Sequence, residues 1–358
     1  MGMQSINFGV FADDYIPKKI LFRDKEYKQL INELKLTAVG FPPSQLMVWG
    51  APGSGKTITV KKAFADSGIK YYYIVSKRTE YLTFLELCRV VLGRMIAGRG
   101  MQPWGEIEPK LGDSYVILDE ADRFIGKGNE EFLYCLSRAP RVGIVLITNK
   151  GDLMHMVRDA RVQSSLIPTK IWFRAYTADE VKTILTTRLS EALPDWQSVV
   201  DDGIINYIVA KTVQRGSDVR YAITLLRESI KLALMEDVFK VLDRHVSEAE
   251  DKININEAEK MVDELTDPQK LMLLCVRYKH TPSSIYSLYN KIAPHVGLGA
   301  LSDRRLRMLM SELELFGLVK TFRKSSMHYE VVMTDWYDHA RVEELLRSRF
   351  EKKLDEFL

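Results

Sequence analysis

The sequence predicts an α/β fold built on a parallel sheet over its first half, followed by a helical block and a block of helices ending in a hairpin. Three observations carry this expectation. Short apolar runs alternate with helix-patterned stretches up to residue 175, as strands buried on both faces require. No strand-like run occurs between 176 and 250. Beyond 251, three helical stretches precede two short strand-like runs. A chain of 358 residues exceeds one ordinary domain, and blocks at 1–175, 176–250 and 251–358 fit that length.

The expected strands of the first block are Leu46–Trp49, Tyr71–Val75, Tyr115–Leu118, Gly143–Ile147 and Lys170–Phe173. Each is rich in β-branched or aromatic residues and too short for a helix. Tyr71, Tyr72 and Tyr73 are read as strand packing rather than a ligand cage. Leu82–Met95 reads as a helix, and Arg94, Arg99, Gly100, Pro103 and Trp104 fall in the loop-like stretch that follows. In the second block Thr177 and Glu180 have capping-box spacing, and Val181, Ile184, Leu185 and Leu189 form one apolar face. Further helices are expected over Asp202–Lys211 and Val219–Met235, the latter capped by Ser217 or Asp218. The third block starts with Glu257–Leu265, breaks at Asp267-Pro268, and continues with Gln269–Tyr278, Ser283–His295 and Ser302–Phe316. Strands Leu318–Phe322 and His328–Met333 flank a turn at Arg323–Ser326, and a last helix runs from about Asp335. Three helices and a hairpin in this order give the pattern of a winged helix.

Composition excludes several function classes. A content of 46% hydrophobic and 28% charged residues is globular rather than disordered. The formal charge of +3 excludes a histone-like polycation but leaves room for a local basic patch. Cys88, Cys135 and Cys275 are too few and too widely spaced for a disulfide framework or zinc site, which fits a reducing compartment. No apolar run approaches the roughly 18 residues that span a bilayer, and no apolar leader follows the N-terminus. A cytoplasmic protein with no membrane partner is expected.

The strongest motif is Gly50-Ala51-Pro52-Gly53-Ser54-Gly55-Lys56-Thr57, which matches G-x-x-x-x-G-K-[ST] between a strand and a helix. Glycines let backbone N–H groups close around phosphate oxygens. Pro52, Gly53, Ser54, Gly55 and Ile58 would line ATP or ADP, Lys56 would neutralise the β/γ-phosphates, and Thr57 would hold Mg²⁺. The strand Tyr115–Leu118 runs into Asp119 and Glu120. Asp119 is expected to organise Mg²⁺ and Glu120 to polarise the attacking water. Asp119-Glu120-Ala121-Asp122 also spells the helicase box D-E-A-D, but residues 176–358 offer neither the second lobe nor the arginine-rich motif that class needs. Asn149, closing the strand Gly143–Ile147, is placed to orient water or sense the γ-phosphate; a strand-end asparagine is equally a turn former.

With these parts in order, the chain resembles the AAA+ ATPases, and more closely their archaeal replication-initiator branch, over nearly its whole length. That branch is related to the large subunit of the eukaryotic origin recognition complex and its helicase-loading partner. Asp14-Tyr15-Ile16-Pro17 with Phe22-Arg23-Asp24 looks like the adenine-clasping segment, implying contacts from Ile16, Pro17 and Arg23. Asp159-Ala160-Arg161-Val162-Gln163-Ser164-Ser165-Leu166 looks like the R-V-x-S-S-L box, implying an arginine finger in Arg161. Tyr176 and Arg188 match the family's tyrosine and arginine at the nucleotide, and Asp218-Val219-Arg220 resembles sensor 2, implying Arg220 near the γ-phosphate. The family usually carries a glycine where this chain has Ser217. Taken singly, each arginine also reads as an ordinary surface or helix-terminal residue.

On Ser302–Phe316, Leu306, Leu309, Met310 and Leu313 make one apolar stripe, with Arg304, Arg307 and Ser311 opposite and Arg305 at the flank. A packed back and an arginine front suit entry into the major groove, while Lys320, Arg323 and Lys324 suit a wing on the backbone or minor groove. Residues 251–358 carry 17 basic and 17 acidic residues, but Arg304–Lys324 carry six against two, so the DNA-facing charge is local. A winged helix used for protein contacts is the bland alternative. The resemblance further implies that the insertion bearing Arg94 and Arg99 touches DNA; packing alone explains it as readily. The combined expectation is an ATP-dependent, origin-binding initiator that hydrolyses ATP slowly as a switch. Its partners would be duplex origin DNA, the replicative helicase and other initiator subunits. A clamp-loader or transposition-type helper ATPase, or a nucleotide-regulated transcription factor, would share part of this machinery.

Overall fold

The computed structural model describes residues 6–12, 14–95, 100–128, 130–323, 329–334 and 339–350. The chain divides into two compact units, Met1–Val246 and Ser247–Leu358.

In the first unit, strands β1 (Gln45–Gly50), β2 (Tyr71–Val75), β3 (Ser114–Asp119), β4 (Val142–Thr148) and β5 (Thr169–Phe173) form a parallel sheet in the order β2-β3-β4-β1-β5. β3 and β4 are buried at every residue, which is why they read as unbroken apolar runs. Alternate side chains enter two cores. Leu46, Val48, Ile117, Val145 and Ile147 pack with helices α1 (Asp24–Ala38) and α2 (Lys56–Ser67). Met47, Val116, Leu118, Ile144 and Leu146 pack with α3 (Glu80–Leu92), α4 (Trp104–Leu111) and α5 (Glu131–Arg138). The short helices α6 (Leu153–Met156) and α7 (Ala160–Ser165) follow β4. The register aligns Trp49 with Thr148, Gly50 with Phe173, and Val75 with Asp119, so the carboxyl ends of five strands meet along one edge. Ligand-binding residues of open α/β sheets come from such an edge.

Three helices complete this unit: α8 (Ala178–Ala192), α9 (Asp202–Gln214) and α10 (Val219–Met235). The capping box predicted for α8 is present, with Glu180 N donating to Thr177 Oγ1 at 3.3 Å and Thr177 N to Glu180 Oε2 at 3.0 Å. A short 3-10 turn at Phe8–Phe11, not anticipated from sequence, buries Val10 and Phe11 against α8 and α10. Asn7 N donates to Ala192 O at 3.0 Å, tying the N-terminal segment to the helical block.

Helix α11 (Asp243–Glu264) is one 22-residue helix where the sequence reading starts a helix only at Glu257. Its apolar positions Val246, Ala249 and Ile253 do recur at helical spacing and are buried, but they are scattered among charged residues that mask the period. The Asp267-Pro268 break is instead the first turn of α12 (Asp267–Tyr278), where proline is tolerated and Thr266 with Gln269 forms a capping box. The loop-like stretch before β3 contains α4. In the second unit, α12, α13 (Pro282–Ile292) and α14 (Asp303–Leu315) surround a core including Leu271, Leu274, Ile285, Tyr289, Leu306, Leu309 and Leu313. Strands β6 (Val319–Arg323) and β7 (Tyr329–Met333) pair antiparallel, and α15 (His339–Phe350) closes the unit. Cys88 and Cys275 are free and buried. No helix among the described residues is long and apolar enough to cross a membrane.

The sheet also explains one glycine. A Cβ on Gly143 would lie 2.3 Å from the ring of Tyr115. That ring is fully buried, and its hydroxyl is held by Thr37 Oγ1 at 2.8 Å and Ser44 N at 3.0 Å. We expect Gly143→Ala to cost about 1–3 kcal/mol through overpacking. A thermal midpoint within a degree of the parent would sink this account.

Candidate functional site

The end of β1 leads into a loop whose backbone only glycine adopts cheaply. Gly53 and Gly55 have φ of 65° and 87°, and Gly55 is the N-cap of α2. A Cβ on Gly53 would fall 1.9 Å from Asp218 Oδ1, so this glycine also allows the N-cap of α10 to approach the loop. Lys56 Nζ donates to Gly50 O (2.8 Å), Ala51 O (2.8 Å) and Asn149 Oδ1 (2.9 Å). Burial, followed by the nearby Arg220 charge, lowers the Lys56 pKa to about 8.

Asp119 is the neighbouring junction. Its Oδ2 accepts from Thr57 Oγ1 at 2.8 Å and from Tyr73 OH at 2.6 Å, and its Oδ1 accepts from Glu120 N at 2.9 Å. The sequence assigns Tyr73 to strand packing; it does pack, but its hydroxyl also reaches the site. Burial and the Asp119 carboxylate push the Tyr73 phenol upward, so it remains a donor. Lys61 Nζ sits 4.0 Å over its ring. The repeated tyrosines hid this residue, because composition alone does not say which of three adjacent rings meets an acid. Glu120 adopts φ of 55°, unusual for a non-glycine residue, and pairs with Arg123 at 2.5 Å.

Lys56, Thr57, Tyr73, Asp119 and Glu120 line a cavity of about 390 Å³ that also includes Tyr15, Ile16, Pro17, Ile58, Tyr176, Arg188 and Arg220. The cavity thus joins the N-terminal segment, the strand ends and the helical block, all within the first unit. Arg188 stacks 4.4 Å over the Tyr15 ring, and Tyr15 OH donates to Glu191 Oε2 at 3.0 Å. Burial lowers the Arg188 pKa, and its Nη1, 3.9 Å from Glu191 Oε2, is buried without a hydrogen bond. Ser54 Oγ is likewise buried without a hydrogen bond. Together with the glycine loop and depressed Lys56, these groups fit a nucleoside polyphosphate. Thr57 and Asp119 offer two oxygens, which suits Mg²⁺ completed by phosphate and water.

Several predicted residues lie elsewhere. Arg23 is fully buried beneath the loop, donating to Ser54 O (2.8 Å), Phe22 O (3.0 Å) and Arg174 O (2.7 Å), and is absent from the cavity lining. Pro52 is exposed and also outside the lining. Asn149 reaches the site through Lys56. Arg161 is exposed on α7, paired with Asp159 at 2.7 Å and lying 4.6 Å over the Tyr134 ring. Arg94 pairs with Glu106 at 2.6 Å; Arg99 lies outside the described residues.

In the second unit, the buried back of α14 is the predicted stripe, Leu306, Leu309, Met310 and Leu313. Arg304, Arg305, Arg307 and Ser311 are exposed, as are Lys320 and Arg323 on β6. Lys324 lies outside the described residues.

Ser217 offers a direct test of the turn that carries Asp218 and Arg220. It has φ of 62°, a conformation in which any side chain is strained. We expect Ser217→Gly to stabilise the protein by about 0.5–1 kcal/mol, the strain relieved exceeding the added entropy of the unfolded chain. A denaturation midpoint that falls instead would show that the serine side chain supports the turn.

Comparison with known proteins locates this architecture. Residues 182–251 match the Cdc6 AAA+ ATPase-type lid domain. An ORC1-type DNA replication protein of Methanothermobacter thermautotrophicus is 32% identical over 329 residues, 88% of this chain and 88% of that one. ORC1-type DNA replication protein 1 of Sulfurisphaera tokodaii is 28% identical, over 87% and 85% of the two chains. Among solved structures, the Aeropyrum pernix ORC1 protein in complex with DNA has a TM-score of 0.82 at 25% identity, covering 97% of this chain and 96% of that one. The fold is that of an AAA+ core with its lid, and the chain belongs to the ORC1-type DNA replication proteins.

Proposed function

We propose that this protein is an ATP-dependent initiator that binds duplex replication-origin DNA and helps recruit or load the replicative helicase, with slow ATP hydrolysis as its switch. One observation carries the switch: the phosphate cavity is lined jointly by the strand-end loop and by Arg188 and Arg220 of the helical block. Anionic charge entering the cavity therefore acts directly on the block that covers it. The likeness to an ORC1 protein solved in complex with DNA supports the DNA-binding half.

Bound Mg·ATP would supply the phosphoanhydride and an electrophilic cation. Lys56 would bind the β/γ-phosphates, and Thr57 with Asp119 would hold the cation. Asn149, hydrogen-bonded to Lys56, would orient water, and Glu120 would take its proton. Glu120 has first to leave its pair with Arg123, which favours slow turnover. Arg161, exposed and away from the cavity, would act on a neighbouring initiator subunit. Ile16 and Pro17 would flank the base, with Tyr176 and Arg188 nearby. Arg23 would shape this wall from behind.

In the second unit Arg304, Arg305, Arg307 and Ser311 would face the major groove, and Lys320 and Arg323 the backbone. A contribution from Arg94 would require its ion pair with Glu106 to open. The work would be done on chromosomal DNA in the cytoplasm.

Footprinting on the chain's own genome tests this reading. The parent should protect repeats at a replication origin. Arg304→Ala with Arg307→Ala should lose that protection yet keep nucleotide, while Lys56→Ala should lose nucleotide and keep part of its DNA affinity. Promoter sites alone would point to a transcription factor, and unchanged affinity of the double arginine variant at physiological salt would overturn the recognition-helix assignment.

Lys56 also sets a pH dependence. Its pKa of about 8 lies below the usual lysine value, and adjacent phosphates would raise it again. Nucleotide binding should therefore take up a proton at and above pH 8. Affinity should be full below pH 8 and about tenfold weaker at pH 9 than at pH 7. Calorimetry in buffers of different ionisation enthalpy measures this uptake; none at pH 8.5 would contradict the argument.

A further inference from the structure

Asp119 is held by more than the phosphate loop. The Oδ2 that accepts from Thr57 at 2.8 Å also accepts from Tyr73 OH at 2.6 Å, across two neighbouring strands. Tyr73 is itself fixed. Its ring lies on the core face shared with α2, and Lys61 Nζ of α2 sits 4.0 Å over it. Glu120 N holds the other carboxylate oxygen at 2.9 Å. The three donors come from α2, β2 and the backbone just after β3, so the carboxylate has little freedom to turn.

We propose that Tyr73 is a positioning residue for the metal ion: its hydroxyl orients Asp119 so that the carboxylate and Thr57 present their oxygens to one cation. A cation at Thr57 would take a lone pair of its hydroxyl oxygen and leave the proton on Asp119, while the hydrogen bond from Tyr73 reaches the same carboxylate oxygen from the neighbouring strand. Tyr73 thus helps keep the carboxylate aimed in the state where aim matters. Donors behind a ligating carboxylate commonly account for about 10–100-fold in metal affinity. The neighbouring Tyr72 points to the other face, and its hydroxyl donates to Lys110 O at 3.2 Å, away from the site. It provides an internal control.

This inference rests on the reading of the cavity as a Mg·nucleotide site. The test is Mn²⁺ binding to the ADP-loaded full chain, followed by loss of the electron paramagnetic resonance signal of free Mn²⁺. Tyr73→Phe should raise the Mn²⁺ dissociation constant about tenfold. In excess chelator the variant should still bind ADP, so that the loss is read on the metal rather than on the nucleotide. Tyr72→Phe should bind Mn²⁺ as the parent does. A Tyr73→Phe constant within twofold of the parent, with ADP still bound, would overturn the positioning role alone. An equal loss in Tyr72→Phe would also overturn it, by assigning the effect to the strand rather than to the hydroxyl. Failure of the parent to bind ADP at all would overturn the nucleotide reading and this inference with it.

Discussion

Arg23 has no solvent exposure, yet its guanidinium donates to the carbonyls of Phe22, Ser54 and Arg174 and lies 3.7 Å over the Tyr176 ring. A cation removed from water costs several kcal/mol unless its donors are met. Here the carbonyls come from the N-terminal segment, the phosphate loop and the exit of β5, which are three walls around the cavity. Displacing any of them strips a partner from a buried charge. The spacing of the walls is therefore set from beneath, by a residue that does not line the cavity.

That fixed floor makes the close approaches above it possible. Tyr176 OH would lie 2.7 Å from a Cβ on Gly55, and Asp218 closer still to one on Gly53. Both glycines therefore do two things: they turn the loop, and they leave space for the residues that approach it. Glu180 steadies the same junction, capping the start of α8 and pairing with Arg174 immediately after β5. Arg188 and Arg220 are the cations that the helical block adds to the cavity lining, while its covalent connection to the sheet is held by ion pair and cap.

Much of this was legible in the sequence, for identifiable reasons. The five strands stand out because burial on both faces leaves no polar interruption. The phosphate loop stands out because its glycines are required by backbone geometry. Asp119 and Glu120 follow from ending a buried strand in acids. What stayed hidden were interactions between distant segments. Nothing local distinguishes Tyr73 from Tyr71 and Tyr72, and nothing local says that Arg23 faces carbonyls rather than a ligand. The 3-10 turn at Phe8–Phe11 is too short for a periodic signal, and the start of α11 is masked by its charged residues. At Ser217 the departure from the family's glycine was visible, but its meaning needed the φ of 62°.

The charge on α14 bears on what that helix is for. Arg304, Arg305 and Arg307 occupy its first turn and a half, where the helix dipole disfavours positive charge by about 0.3–1 kcal/mol for each group near the end. Asp303 offsets part of this, and the buried Leu306, Leu309 and Leu313 hold the helix in place regardless. A face meant only to be solvated could carry acids at that end and gain stability. Placing arginines there goes against local preference, and such departures concentrate where a surface has a partner to meet. A polyanion brought to this end would turn the unfavourable term into a favourable one, through the arginines and through the N–H groups of the first turn. That is a physical reason to read the exposed face of α14 as a surface for nucleic acid rather than as a hydrated helix.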